Sequence, residues 1–382
     1  MPRIKMSSPD LTDAEIDAVV ATLKSGSLSI GSRLTTFENT VAACAGTIHA
    51  VGVNSGTSAL HLAVIAAGLG EGDSAITTPF SFVASANCLL YERARPIFVD
   101  VDPETGNIDP VLVAEKAAEF KRSSNSGHLR AIIAVHTFGQ PAQMDALKST
   151  SATHGMALIE DACEAIGAEF KGQRAGSLGD VAAFAFYPNK QLTTGEGGML
   201  VTDRGDWVDL FRSLRNQGRD VFDAWLTHSR LGYNYRLDEM SAALGAVQMS
   251  RLDELLEKRA QVAAWYTERL QGYTDLIEPP RIAATTTRMS WFVYVVRLGK
   301  SVDRDRLMID LDARGIPSRP YFTPIHLQPF YRAQFGFRPG DFPVAEALGR
   351  QSLALPFSGV MTQTEVDFVC EHTLNALNAV PC

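Results

Sequence analysis

Residues 130–161 read RAIIAVHTFGQPAQMDALKSTSATHGMALIED. Two runs with almost no polar break, Arg130–His136 and Met156–Asp161, flank a helical stretch, Ala142–Thr153. Near-continuous apolar strands joined through a helix indicate parallel pairing with both faces of the sheet covered. The pattern repeats upstream. Ala75–Thr78 reads as a strand, Ser81–Glu92 as a helix, Pro96–Asp100 as a strand and Pro110–Phe120 as a helix. Downstream, Val181–Tyr187 and Met199–Thr202 read as two more strands with no helix between them, so that edge of the sheet is open to mixed pairing. The fold class expected is α/β, with a mostly parallel sheet between helices.

Beyond this block the text changes. Apolar residues recur at helical spacing from Asp238 to Leu270, which predicts one long helix leading out of the first unit. Trp291–Leu298 reads as a strand and Asp303–Ala313 as a helix ended by Gly315, with a further helix at Pro343–Leu353. The expected division is a large domain over residues 1–250, including the N-terminal segment, and a small α+β domain over 251–382.

Composition narrows the function classes. Of 382 residues, 46% are hydrophobic and 20% charged, enough apolar surface to offset the entropy of ordering. Lys and Arg number 35 against 43 Asp and Glu, a net charge of −8. That balance argues against nucleic acid as a bulk polyanionic partner, yet leaves room for a local basic pocket. Met1 to Asp10 is short, polar and broken by proline, unlike a targeting segment. No apolar run approaches the roughly 18 residues needed to cross a bilayer. The cysteines, Cys44, Cys88, Cys163, Cys370 and Cys382, are widely spaced with no CxxC. Neither a disulfide framework nor a metal site is expected, and a reducing cytoplasm fits.

Five segments carry candidate chemistry. Asn54-Ser55-Gly56-Thr57-Ser58 stands at a strand-to-helix transition, putting Thr57 and Ser58 at a helix start. Free amides and the helix dipole suit a phosphate there, although a capped helix without ligand has the same signature. Ile159-Glu160-Asp161-Ala162-Cys163-Glu164 places acids at the carboxyl end of a strand, where open α/β sheets hold ligands. Asp161 could face a cationic ring nitrogen or a metal, or simply cap a helix. Phe184-Ala185-Phe186-Tyr187-Pro188-Asn189-Lys190 runs into the Gly-rich turn Thr194-Gly195-Glu196-Gly197-Gly198. A partly desolvated lysine is neutral enough to form a Schiff base, whereas a solvated loop lysine is the commoner case. Gly232-Tyr233-Asn234-Tyr235-Arg236 precedes the long helix. Last, Arg319-Pro320-Tyr321 and Pro324-Ile325-His326 form a proline-stiffened loop with a base, a phenol and an imidazole. A lone histidine of this kind is more often structural than catalytic.

Taken in order, these segments carry a resemblance. The matching text is NSGTSALHLAV (54–64), TTPFSFVASAN (77–87), PIFVDVDPETGNIDP (96–110), VHTFGQPAQMD (135–145), IEDACEAIGAEFKG (159–172), FYPNKQLTTGEGGM (186–199), GYNYRLDEMSAALGAVQ (232–248) and YFTPIHLQPFY (321–331). From about residue 8 to 375 the chain resembles the DegT/DnrJ/EryC1/StrS sugar aminotransferases, which are fold-type I pyridoxal-phosphate enzymes. The TTGEGG turn and the PIHLQPFY loop look most like the perosamine-synthase-like branch.

The resemblance implies a seven-stranded, mostly parallel sheet in the large domain and pyridoxal 5′-phosphate as cofactor. It implies that Lys190 is the Schiff-base lysine and proton shuttle, and that Asp161 pairs with the pyridine nitrogen. Thr57 and Ser58 match the phosphate-binding helix start, Phe82 the residue stacked on the ring, and Glu164 a position reaching the phenolic oxygen. Asn234 matches a residue that reaches the phosphate of a neighbouring subunit, which implies a homodimer with shared active sites. Arg319, Tyr321 and His326 fall where the family recognises its nucleotide-sugar; Arg236, Arg219 and Arg230 are further sources of positive charge. Ala185 departs from the pattern, because many relatives have serine there against the phosphate. The implied reaction moves an amino group from glutamate to a nucleotide-linked keto-deoxy sugar, most like a 4-keto-6-deoxy sugar, by a ping-pong mechanism. Two alternatives stay open on the sequence. One is a sugar dehydratase on the same scaffold, although dehydratases generally replace the lysine with histidine. The other is a non-catalytic, cofactor-binding regulatory protein.

Overall fold

The computed structural model describes residues 4–122, 127–220 and 227–378. A seven-stranded sheet runs in the order His49–Val53, Gly198–Thr202, Val181–Ala185, Ala157–Asp161, His128–Val135, Asp73–Thr77, Arg95–Phe98. Every neighbouring pair from Val181–Ala185 to Arg95–Phe98 is parallel. Gly198–Thr202 alone runs against the rest, pairing antiparallel with both its neighbours. The mixed edge expected from the absence of a helix between Val181–Tyr187 and Met199–Thr202 is therefore present.

Continuous apolar strands result because both faces are buried. Ala131 and Ile133 pack on one face with Leu60, Ala63 and Phe211; Ile132 and Ala134 pack on the other with Val113, Ala117 and Leu147. That alternation is the two-residue period of a strand. Helices Gly56–Ala66 and Gly205–Arg215 supply the first face, and Pro110–Arg122 and Met144–His154 the second.

The chain beyond residue 270 builds a smaller antiparallel sheet, ordered Ile277–Glu278, Tyr294–Leu298, Ser352–Leu355, Arg319–Pro320. Val262, Tyr266, Tyr294, Leu353 and Val366 share its core. Ile4 joins the same core, and the Phe357 amide donates to the Met6 carbonyl at 2.9 Å, so the start of the chain lies on this unit. None of the helices among the described residues is long and apolar enough to cross a membrane.

Two expectations need correction. The helix expected over Asp238–Leu270 is broken at Arg251 (φ −106°, ψ 7°) into Glu239–Ser250 and Leu252–Leu270. Apolar spacing runs through the break and hides it. What holds the break is polar and mostly distant in sequence: Arg251 reaches Asp10 at 2.8 Å and Glu15 at 2.7 Å across the chain, besides the local Glu254 at 3.1 Å. The helix expected over Pro343–Leu353 stops at Gln351, and Ser352–Leu355 is a fully buried strand. Its partners on both sides, Tyr294–Arg297 and Arg319–Pro320, are non-local and override local propensity.

The strands ending at Val53, Val135, Asp161 and Ala185 finish along one edge of the large sheet. Asp73–Thr77 has its successors on opposite sides, Arg95–Phe98 on one and His128–Val135 on the other. This reversal is the place where such sheets open a crevice for a ligand.

Candidate active site

A cavity of about 350 Å³ opens at that edge. Its wall takes Ser55, Gly56 and Thr57 from the turn and helix start after the first strand, and Ser81, Phe82 and Ser85 from the turn and helix start after Asp73–Thr77. Asp161 ends Ala157–Asp161, with Cys163 and Glu164 just after it, and Ala185 ends Val181–Ala185, with Tyr187, Asn189 and Lys190 after it. Phe292, Tyr321 and Phe322 close it from the smaller sheet.

The helix Gly56–Ala66 begins at the cavity with Ser55 as its N-cap, whose hydroxyl accepts from the Ser58 amide at 3.1 Å. The first amides of any helix lack intrahelical acceptors. Close packing brings this helix start to the sheet. A Cβ on Gly56 would stand 2.6 Å from the Ala185 methyl and 2.8 Å from the Cys163 sulfur, and one on Gly198 would strike the Ser55 backbone.

Asp161 is buried and fixed from two sides. The Ser85 hydroxyl donates to its Oδ2 at 2.6 Å, and the Cys163 amide donates to its Oδ1 at 3.2 Å. Ser81 in turn bonds Ser85 at 2.7 Å. Lys190 Nζ lies 3.5 Å from Glu164 Oε1 and 3.7 Å from the centre of the Phe292 ring. Glu164 also accepts from the Phe138 amide at 2.9 Å. Burial pushes its carboxyl above the ordinary value, against the opposing pull of Lys190. Tyr321 is pushed up to about 12 by burial and by the nearby Glu164 charge, so the phenol is a donor at neutral pH.

The structure thus brings Lys190, Asp161, Glu164, Thr57, Phe82 and Tyr321 to one cavity. Four other candidates stand apart from it. Ser58 turns its hydroxyl to Asn54 Oδ1 at 2.7 Å, inside the cap, and only Thr57 of the pair faces the opening. His326 is fully buried, 3.1 Å from Glu346 and packed edge-on against Phe342; it holds the loop together and reaches no ligand space. Arg319 is exposed and donates to the Ser318 carbonyl at 2.8 Å, outside the cavity wall. Asn234 is also exposed and outside it, bridging backbone-to-backbone with Asn216.

Local reading missed Ser85, Phe292 and Arg259. Ser85 reads as one small residue inside the helix expected over Ser81–Glu92, and Phe292 sits in an apolar strand run. Arg259 reads as one polar residue on an amphipathic helix, yet it is buried behind Lys190.

These groups fit pyridoxal 5′-phosphate. An amine, a fixed carboxylate and a helix start meet in one cavity, and ring-sized space is left between them. A sequence profile of the DegT/DnrJ/EryC1/StrS aminotransferase family matches residues 9–374. The chain is similar to GDP-perosamine synthase of Caulobacter vibrioides, 38% identical over 97% of each chain. It is also similar to dTDP-3-amino-3,4,6-trideoxy-alpha-D-glucose transaminase of Streptomyces venezuelae, 38% identical over 90% of this chain and 87% of that one. Among solved structures, S. venezuelae DesV in complex with a ketimine intermediate superposes with a TM-score of 0.90 at 34% identity, covering 100% of both chains. The protein is therefore a pyridoxal-phosphate-dependent aminotransferase, and the chain belongs to the DegT/DnrJ/EryC1/StrS family.

Proposed function

We propose that this aminotransferase moves an amino group from glutamate to a nucleotide-linked keto-deoxy sugar, a 4-keto-6-deoxy sugar first, by a ping-pong mechanism. The observation that carries the reading is the meeting of Lys190 and Asp161 in one cavity, in a chain 38% identical to a perosamine synthase. Pyridoxal phosphate, when bound, supplies an aldehyde for the amine and a ring that withdraws electrons. The chain's own residues do the rest. Asp161, oriented by Ser85 and the Cys163 amide, keeps a proton on the ring nitrogen. Lys190 carries protons between the donor carbon and the cofactor, with Phe292 and Glu164 limiting where its amine can go. Thr57 and the first amides of its helix hold the phosphate, and Phe82 covers the ring. Tyr321 is a hydrogen-bond donor toward the sugar, and the exposed Arg319 beyond it attracts the diphosphate.

The proposal extends to the assembly. Phe82 and Tyr187 line the cavity yet are 62% and 51% exposed, so the wall is unfinished in a single chain. A homodimer would finish it, with Asn234 of each subunit reaching toward its neighbour's phosphate. The domain boundary is placed at the Arg251 break, and the setting is the cytoplasm.

The test is a panel of nucleotide-linked 3-keto and 4-keto sugars incubated with glutamate and read by mass spectrometry. An amino sugar from a 4-keto substrate is expected; loss of water, or no product from any substrate, would overturn the proposal. K190A is expected to lose turnover completely, and product formed by it at the normal rate would remove Lys190 from its role.

A further inference from the structure

Arg259 is 3% exposed on helix Leu252–Leu270. No carboxylate pairs with it among the described residues, and desolvation alone lowers it to about 10, so it stays charged at neutral pH. An unpaired buried charge is costly unless dipoles replace the lost water. Here four backbone carbonyls do so, and they come from two separate segments. Nη1 donates to the carbonyls of Trp291 and Phe292, each at 3.2 Å. Nη2 donates to those of Asn189 at 3.3 Å and Lys190 at 2.6 Å. A planar guanidinium presents its donors from separate nitrogens, here one to each segment, whereas a lysine ammonium offers three from a single point.

The two segments are the ones that meet at the reactive amine. Lys190 Nζ rests 3.7 Å from the Phe292 ring centre. Trp291 has a φ of 53°, a region that a bulky side chain seldom adopts, so this segment needs outside support. The Phe292 amide, donating to the Phe138 carbonyl at 3.2 Å, and the neighbouring Ser290 amide, donating to the Gly139 carbonyl at 3.1 Å, give part of it, and Arg259 adds to it at the carbonyls of Trp291 and Phe292.

We propose that Arg259 is a positioning residue for Lys190: it ties the backbone of the lysine turn to Trp291–Phe292, and so keeps the amine against the Phe292 ring and aimed into the cavity. The inference rests on Lys190 being the lysine that captures the cofactor. In that capture the amine nitrogen bonds the aldehyde carbon and the aldehyde oxygen leaves as water. Borohydride then supplies a hydride that reduces the carbon–nitrogen double bond to a stable amine.

The experiment compares wild type, R259K and R259Q in two measurements. One is the reversible affinity for pyridoxine 5′-phosphate, which has no aldehyde and cannot react with Lys190. The other is the rate at which pyridoxal phosphate becomes borohydride-trapped on Lys190, located by peptide mass spectrometry. Affinity is expected within twofold of wild type in both variants, with trapping at least tenfold slower in both. A residue with a merely structural part would weaken the two in parallel. Trapping at the wild-type rate, or equal losses in both measurements, overturns the proposal. F292L leaves Arg259 and its carbonyl partners in place and is expected to slow trapping likewise; a wild-type rate there overturns the proposal even where an Arg259 variant does not fold. A wild-type protein that gives no adduct at Lys190 overturns the assignment of that lysine, which is a different result.

Discussion

Ala185 ends the strand that leads to Lys190, and its methyl group lines the cavity beside Gly56 at the helix start. A hydroxyl at this position would face the place proposed for the phosphate. A hydrogen bond to a charged group contributes roughly 1.5–3 kcal/mol, or about tenfold or more in affinity. A185S is therefore expected to tighten pyridoxal phosphate binding by about tenfold, measured by equilibrium dialysis; an unchanged constant would mean that the helix amides already satisfy the phosphate. At this scale the legible residues were those whose chemistry is tied to a strand end. Asp161 ends one apolar strand and Lys190 follows another, and position along the chain nearly decides their place. The burial of His326 is not legible locally, because it depends on Phe342 and Glu346, which lie beyond the intervening helix Pro329–Phe335. Arg259 was invisible for the same reason: its four acceptors lie 32 to 70 residues away.

Among the elements, helix Asp13–Ser25 and the Arg251 break form one electrostatic unit. Burial pushes Glu15 upward, but hydrogen bonds from Thr12, Arg251 and Gln248 outweigh it and hold the carboxyl at about 2, against an ordinary 4.5. A carboxylate depressed in the fold stabilises the protein above its unfolded value, and that contribution is lost as pH falls from 4.5 through about 2. The full shift corresponds to about 3 kcal/mol, and partial exposure of Arg251 reduces this to about 2 kcal/mol. E15Q is thus expected to lower urea-unfolding stability by about 2 kcal/mol at pH 7, with the gap to wild type narrowing steadily below pH 4.5. A gap that does not change with pH would mean that Glu15 acts by packing alone. Strands of the large sheet are readable where apolar residues dominate them, as at 131–135 and Val181–Ala185, because burial on both faces selects such residues. The break at Arg251 and the strand Ser352–Leu355 are not, because each is held by partners that local periodicity cannot report.

For the whole molecule, the unfinished cavity wall makes assembly a measurable claim. Sedimentation at micromolar concentration is expected to give twice the 41.4 kDa chain mass, and a species of 41.4 kDa alone would remove the proposed shared site. The sheet order carries one more consequence. Among the described residues His49–Val53 pairs along its length with Gly198–Thr202 and is bridged at Val53 to Arg236, and the helix that follows it starts at the cavity. Its partner is made about 150 residues later, which at about 5–20 residues per second is a wait on the order of ten seconds during synthesis. Until then the first strand is an unpaired apolar ribbon beside a sheet that is already growing without it. The proposed phosphate end of the site is therefore made first and waits on a strand made much later, and its nascent strand is the segment with most to gain from a chaperone.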